Sequence, residues 1–202
     1  MENLKISGLL IVIAGTVFAF GMLTAGFLFP DYSDSRQTIS ALGAQCSTDA
    51  SDCVVHEPSA AIFNGSLILF GLLILISFFI SRKEFLPSAK IFFVFAVIAG
   101  LGGIGSGLFP DNTGLMHELF AGVGFFFGSL TVISSFKIIR KPLNYFSLLM
   151  GIISLSALVL FVSDVHLGLG SGGMERMIIY PILLWMVSFG SYLISSGVVF
   201  EK

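Results

Sequence analysis

The stretch "LFPDNTGLMHELF" (Leu108–Phe120) joins two long apolar runs through seven turn-forming or polar letters. The run before it contains "GLGGIGSGLF" and ends at Pro110. The run after it resumes at Leu115 and carries His117 and Glu118 near its start. The same word, Leu-Phe-Pro-Asp, occurs in "FLFPDYSDSRQTIS" (Phe27–Ser40), again at the end of a long apolar run. Proline cannot continue a helical hydrogen-bond ladder and restrains the residue before it. Pro30 and Pro110 therefore stop two rising helices. Phe29 and Phe109 are expected at the membrane interface, with Asp31 and Asp111 emerging beyond it. The repeat has a plain reading, a good helix stop at a membrane surface. The other reading is a duplicated hairpin with both copies lining one site.

Working outward, six apolar runs cover Ile6–Phe29, Ala60–Ser81, Ser88–Phe109, Met116–Ile139, Leu143–Ser163 and Met174–Val199. Each has about 20 residues or more, enough to cross about 30 Å of hydrocarbon. Only 11% of the 202 residues are charged and 55% are hydrophobic, against about 25% charged in a soluble domain. The runs do not alternate as barrel strands do, and helices satisfy their own backbone in lipid. The fold class is all-α: a single six-helix transmembrane domain over 1–202, built as three outward hairpins with an outer loop over 30–59. The first run follows Lys5 but exceeds a signal-peptide core and has no A-x-A site after it, so it is expected to stay as a helix.

Charge sets the expected orientation. Lys5, Arg82, Lys83, Lys90, Lys137, Arg140, Lys141 and Lys202 fall on one side, and only Arg36 and Arg176 on the other. Basic residues stay cytoplasmic, which places both termini inside the cell membrane. Nine of the twelve acids, Asp31, Asp34, Asp49, Asp52, Glu57, Asp111, Glu118, Asp164 and Glu175, gather at the outer side. The net charge of −2 and the lack of a basic cluster give no nucleic-acid footprint. Cys46 and Cys53 bracket "CSTDASDC" in the outer loop and are the only cysteines. In an oxidising compartment they read as a disulfide stapling a polar loop. Two thiols alone make a poor zinc site.

Polar residues converge on the outer ends. The first loop and the descent from it supply Asp31, Asp34, Arg36, Ser40, Glu57 and Asn64. The second hairpin supplies Asp111, His117 and Glu118, and the third, through "FVSDVHLGLGSGG", supplies Asp164 and His166, followed by Glu175 and Arg176. Outer loops must hold polar groups in any case. Those embedded in apolar runs, namely Asn64, His117, Glu118, Glu175 and Arg176, stand apart, because charge at that depth is costly. Thr113 is placed to cap the fourth helix, and Asp111 can meet His117 across the turn. Glu175 and Arg176 diverge by about 100° on a helix, so Arg176 is expected to pair with Glu118 or Asp111, or to contact an anion or lipid headgroup. His56 is expected to be a solvated loop histidine. The chain has neither H-x-x-x-H nor H-E-x-x-H, and no G-x-S-x-G, so no metal, cofactor or serine nucleophile is assigned. The Gly-rich third helix follows no strand and is not a dinucleotide loop. Tight helix crossing explains it better, with Gly122, Gly124 and Gly128 of "GVGFFFGS" receiving the approach. Pro181 predicts a kink in the last helix.

The series "FPDYSDSRQTISALGA", "AIFNGSLILFGLL", "GLFPDNTGLMHELFAGVGF" and "GGMERMIIYPILLW" resembles the domain of unknown function 998 family, six-helix membrane proteins of archaea and bacteria. The resemblance spans nearly the whole chain and marks Ser40, Gly43, Asn64, Pro110, His117, Glu175 and Arg176. It implies fold and topology but no activity, and the Cys46–Cys53 loop departs from the common pattern. A fainter similarity to the Frag1/DRAM/Sfk1 membrane proteins, through "ISALG" and "EPSAAIFN", implies a lipid-related role by analogy.

The sequence thus predicts a polar pocket in the outer leaflet that binds or modifies a lipid or small amphiphile. His117 is the expected acid/base or headgroup contact, with Asp111 and Glu118 orienting it. Arg176 is the expected anion contact, with Glu175, Asn64, Arg36, Ser40, Asp164 and His166 completing the pocket. The competing readings are a small-solute transporter or channel and a non-catalytic scaffold. Residue types alone do not decide between enzyme and non-enzyme, nor do they give the oligomeric state.

Overall fold

A computed structural model describes residues 2–46, 52–85 and 89–196. Asp49, Lys202 and the expected helix limits at Ser88 and Val199 lie outside the described residues. Six helices, each long and apolar enough to cross a membrane, dominate the described chain. They are α1 (Glu2–Leu28), α2 (Ser59–Phe85), α3 (Lys90–Leu108), α4 (Leu115–Ser134), α5 (Leu143–Val162) and α6 (Gly170–Ser196). Three single 3₁₀ turns, Ser40–Leu42, Asp111–Thr113 and Ser135–Lys137, punctuate the connections. An unexpected two-stranded ladder, β1 (Gln45–Cys46) with β2 (Cys53–Val54), pairs the two cysteines directly across from each other. The Cys46–Cys53 disulfide is formed, with an S–S distance of 2.06 Å.

The helices follow one another around a ring. Each packs on its neighbour in sequence, and α6 closes the ring against α1 while also touching α4. Small residues set the spacing. A side chain on Gly102 of α3 would place its Cβ 2.5 Å from the Gly124 nitrogen of α4, and one on Gly190 of α6 would place it 2.6 Å from the Gly8 oxygen of α1. Such approaches replace the missing hydrophobic drive between helices in lipid with dispersion. Of the glycines expected to receive α3, Gly124 does so. Gly128 instead faces Ile182 of α6, and Gly122 has nothing within 4 Å.

Buried hydroxyls add directional ties. Ser7 of α1 meets Ser77 and Ser81 of α2 at 2.6 and 2.9 Å. Ser129 of α4 meets Ser154 of α5 at 2.8 Å, and Ser154 donates to the Ile178 carbonyl of α6 at 2.7 Å. The Trp185 indole donates to Ser135 at 2.9 Å. The apolar outside is as telling as the inside. Phe27, Leu115 and Val162 are 88%, 75% and 76% exposed. A ring with greasy walls on both faces is what a bilayer requires of a multi-pass protein.

Several local expectations change. The two LFPD words both end their helices, at Leu28 and Leu108. Beyond the proline they differ: Asp31 takes a left-handed φ of 53°, whereas Asp111 starts a 3₁₀ turn after an extended Pro110. Phe29 is buried, and Phe109 is 38% exposed. The shared word is therefore a shared stop and not a shared site. Thr113 does not cap α4, since it sits inside the 3₁₀ turn and its hydroxyl returns to the Pro110 carbonyl at 2.7 Å. Gly114, at φ 58°, stands at the cap position without a side chain to offer. Helix α6 starts at Gly170, one turn earlier than expected, and runs on past Pro181.

Candidate functional site

The first outer loop folds over one end of the bundle and is clamped there by α6. Arg176 does this work from a side chain only 8% exposed. Its Nη1 donates to the carbonyls of Asp34, Gln37 and Gly172 at 2.8, 3.3 and 3.0 Å. Its Nη2 donates to the Tyr32 hydroxyl at 2.7 Å and to Asp34 Oδ1 at 2.6 Å. The expected partners, Asp111 and Glu118, are not used. A guanidinium at the end of α6 meets the loop that lies on α6, whereas Glu118 points outward from α4. With Nη1 on three carbonyls and Nη2 on the Tyr32 hydroxyl and the Asp34 carboxylate, Arg176 clamps the loop, and its buried Nε has no hydrogen-bond partner among the described residues. The Gly172 amide donates to the Ser35 carbonyl at 3.1 Å. A Cβ at Gly172 would stand 2.0 Å from the Gln37 oxygen, so only glycine admits the loop this close.

Tyr32 belongs to the same clamp. Its hydroxyl accepts from Arg176 and donates to the Thr38 carbonyl at 2.9 Å. Burial pushes its pKa up to about 12, against the opposing pull of Arg176. The ring also tilts against Phe29, whose other side meets His56 edge-on at 4.4 Å between centroids. His56 is thus half-buried packing rather than a solvated loop side chain.

Glu175, adjacent to Arg176 but turned inward, is 2% exposed. Its Oε2 accepts from the Ile39 amide and its Oε1 from the Ser40 hydroxyl at 3.0 Å. The Ser40 amide also donates to it. A short loop from another part of the chain has wrapped its N–H groups around a buried carboxylate, which is how such a charge is made tolerable away from water. The rest of that loop is fixed by Asn64, whose Nδ2 donates to the Gly43 carbonyl at 3.3 Å. The Ser59 hydroxyl, which donates to the Ala25 carbonyl at 3.0 Å, ties α2 to α1 beneath it.

His117 completes the end wall. It is 5% exposed, one turn into α4. Its Nδ1 lies 2.8 Å from the Phe109 carbonyl at the end of α3. A carbonyl can only accept, so Nδ1 carries a proton and the other ring nitrogen, Nε2, is turned away from this contact. That Nε2 is buried and has no hydrogen-bond partner among the described residues. The imidazole is close enough to Glu175 and to Asp111 to interact with both electrostatically. Asp111 is half-buried, and that burial raises its pKa, with His117 opposing the shift and Glu118 reinforcing it.

Behind Ser40, His117 and Glu175 lies a narrow cavity of about 80 Å³, partly open to its surroundings. Residues of α1, α2, α3, α4 and α6 line it, while α5 does not take part. On α2 the lining runs from Phe63 to Phe78, and on α4 from His117 to Thr131. At 1.5 Å per residue that is a chamber roughly 20 Å long. Apart from Ser106 and Thr131, its walls below the polar end are apolar or glycine. Ile74, Phe78, Trp185 and Met186 form the far end, and the Ser7–Ser77–Ser81 cluster lies just beyond Phe78.

The chain belongs to the DUF998 family. The family profile, described as a protein of unknown function, matches residues 12–192. No curated protein and no solved structure shows significant similarity to the chain. The residues that carry the DUF998 resemblance now have places. Ser40, His117 and Glu175 sit at the polar end of the chamber, while Gly43, Asn64 and Arg176 hold the loop that forms that end. The other expected site residues stay apart. Glu118 is exposed. Arg36 is exposed on the loop surface, with its Nε on Ser33. Asp164 and His166 pair with each other at 3.6 Å, Asp164 being 94% exposed. The carboxylate that shares the chamber with His117 is therefore Glu175, not Asp111 or Glu118. Sequence reading placed Asp34 among the outer polar groups but missed Tyr32, Gln37 and the Ile39 amide. Backbone donors and acceptors leave no trace in residue type. The one available signal was the polar density of "DYSDSRQTIS" set against so apolar a chain.

Proposed function

We propose that this DUF998 protein binds a membrane-derived amphiphile inside the helix ring, with its head at Ser40, His117 and Glu175 and its chain along the apolar chamber. The observation behind this reading is the pairing of a long apolar cavity with a small, buried polar end that includes an unpartnered imidazole nitrogen. Clefts lined by apolar groups with a few convergent polar atoms are the usual form of a small-molecule site. The tight packing at the far end favours a holding site over a continuous pore. The charge pattern further supports an orientation with both termini cytoplasmic and the polar end in the outer leaflet.

The test is to purify the protein in mild detergent and identify co-purifying amphiphiles by native mass spectrometry. Ala121→Phe, on the chamber wall, is expected to abolish retention while leaving the thermal transition in place. An amphiphile retained equally by this variant would place the ligand elsewhere. Orientation is tested separately by placing a single cysteine at exposed Asp31 in a Cys46→Ser, Cys53→Ser background. Labelling by an impermeant thiol reagent from the outside is expected, and labelling only after lysis would reverse the assignment.

A further inference from the structure

We propose, on the basis of that reading, that the head of the amphiphile is a hydrogen-bond donor, a long-chain alcohol or amine, and that the site discriminates against the matching carboxylate and phosphate. Three groups at the chamber end lead to this. With its ring neutral, His117 gives its only N–H to the Phe109 carbonyl, and Nε2 faces a ligand as an acceptor. The Glu175 carboxyl oxygens accept from the Ile39 amide and the Ser40 hydroxyl and keep further lone pairs. Ser40 has committed its hydroxyl proton to Glu175, so what it has left is oxygen lone pairs.

The cation that an anionic head would need is absent from this end. Arg176 is adjacent in sequence, but its Nη groups are bound to Asp34, Gln37, Gly172 and Tyr32 on the other side of the loop. It does not line the chamber. An anion placed beside Glu175 would meet acceptor oxygens at low dielectric, with no cationic side chain on the chamber lining to offset it. A hydroxyl or amine would give a proton to His117 Nε2 and relieve the one orphaned acceptor in the wall.

The protein carries its own reporter. Trp185 is the only tryptophan, and it lines the chamber. Full-length protein in nanodiscs is titrated with four terminally brominated probes that share one sixteen-carbon chain and end in an alcohol, an amine, a carboxylate or a phosphate. Bromine quenching of Trp185 reads occupancy. Saturable quenching by the alcohol or the amine is expected at concentrations about tenfold lower than for the two anions. Tighter binding of the alcohol assigns recognition to His117, and tighter binding of the amine assigns it to Glu175. Both outcomes support the proposal. His117→Phe, which keeps a flat ring but no acceptor, is expected to erase most of the alcohol's advantage over the carboxylate. Equal quenching by all four probes, or tighter quenching by an anion, overturns the donor-head inference and leaves amphiphile binding standing. No saturable quenching by any probe overturns the amphiphile reading itself. The wild-type panel decides these outcomes even if the His117 variant does not fold.

Discussion

Replacing Arg176 should cost far more than replacing its only ionic partner, although textual convention would assign both the same salt bridge. Asp34 is 80% exposed and Arg176 8% exposed. Removing charge from the exposed partner, as in Asp34→Asn, forfeits a pair at the surface, worth about 0–1 kcal/mol. Arg176→Met keeps the bulk of the side chain but withdraws donors from the Asp34 and Gln37 carbonyls and from the Tyr32 hydroxyl. The Gly172 carbonyl keeps its own intrahelical partner. Hydrogen bonds to a charged group contribute about 1.5–3 kcal/mol each. Two lost at the loop carbonyls, with the exposed ion pair added, give about 3–7 kcal/mol. At roughly 2–4 °C per kcal/mol for a chain of this size, the thermal midpoint of Arg176→Met should fall by about 6 °C or more. Asp34→Asn should lose no more than about 4 °C. Trypsin cleavage after Arg36, which is exposed on the clamped loop, should accelerate in Arg176→Met and change little in Asp34→Asn. Equal losses in the two variants would show that the ion pair, and not the carbonyl clamp, holds the loop. A loss under about 1 kcal/mol in Arg176→Met would show that the loop is held by something else.

Three further outcomes follow from the same geometry. Gly172→Ala should destabilise by about 1–3 kcal/mol, because its Cβ would stand 2.0 Å from the Gln37 oxygen and 2.5 Å from the Asp34 oxygen. The check is the thermal midpoint together with trypsin sensitivity at Arg36, and an unchanged loop would refute the close approach. Tyr32 ionises at about 12 when folded and 10.0 when not, so the stability it lends below pH 10 should drain away between about pH 10 and 12. Tyr32→Phe should lack that step in a pH series of thermal midpoints. Cys46→Ser with Cys53→Ser opens a ring of about eight residues, which chain entropy values at no more than about 2.5 kcal/mol. The bundle should therefore still fold, and helical circular dichroism that collapses would contradict this.

The order "I-S-A-L" to "M-E-R-M" shows where residue letters stop being informative. Nothing in either segment states that the Ile39 amide and the Ser40 hydroxyl close on Glu175, 136 and 135 positions away. The six spans, their caps by Pro30 and Pro110, and the disulfide loop were legible in the sequence, because length, hydropathy and chain-breaking act locally. His117 and Glu175 stood out as polar letters in apolar runs, since burying them costs free energy wherever the helix goes. Their partners were misread for the same reason that their presence was detected. A costly group must be satisfied, but by what is decided in three dimensions. Arg176 found loop carbonyls and Asp34 rather than Asp111 or Glu118, because α6 closes against α1 and carries the first loop with it.

The sequence by itself determined that this is an all-α protein with six helices long and apolar enough to cross a membrane, because the bilayer penalises every other use of so apolar a chain. Only the tertiary structure decided which polar groups meet, that the Arg176 Nη groups clamp the first loop while Nε2 of His117 has no hydrogen-bond partner among the described residues, and that the helices enclose a chamber behind them. Those outcomes depend on ring closure and on approaches between glycines far apart in sequence, and no local pattern encodes either.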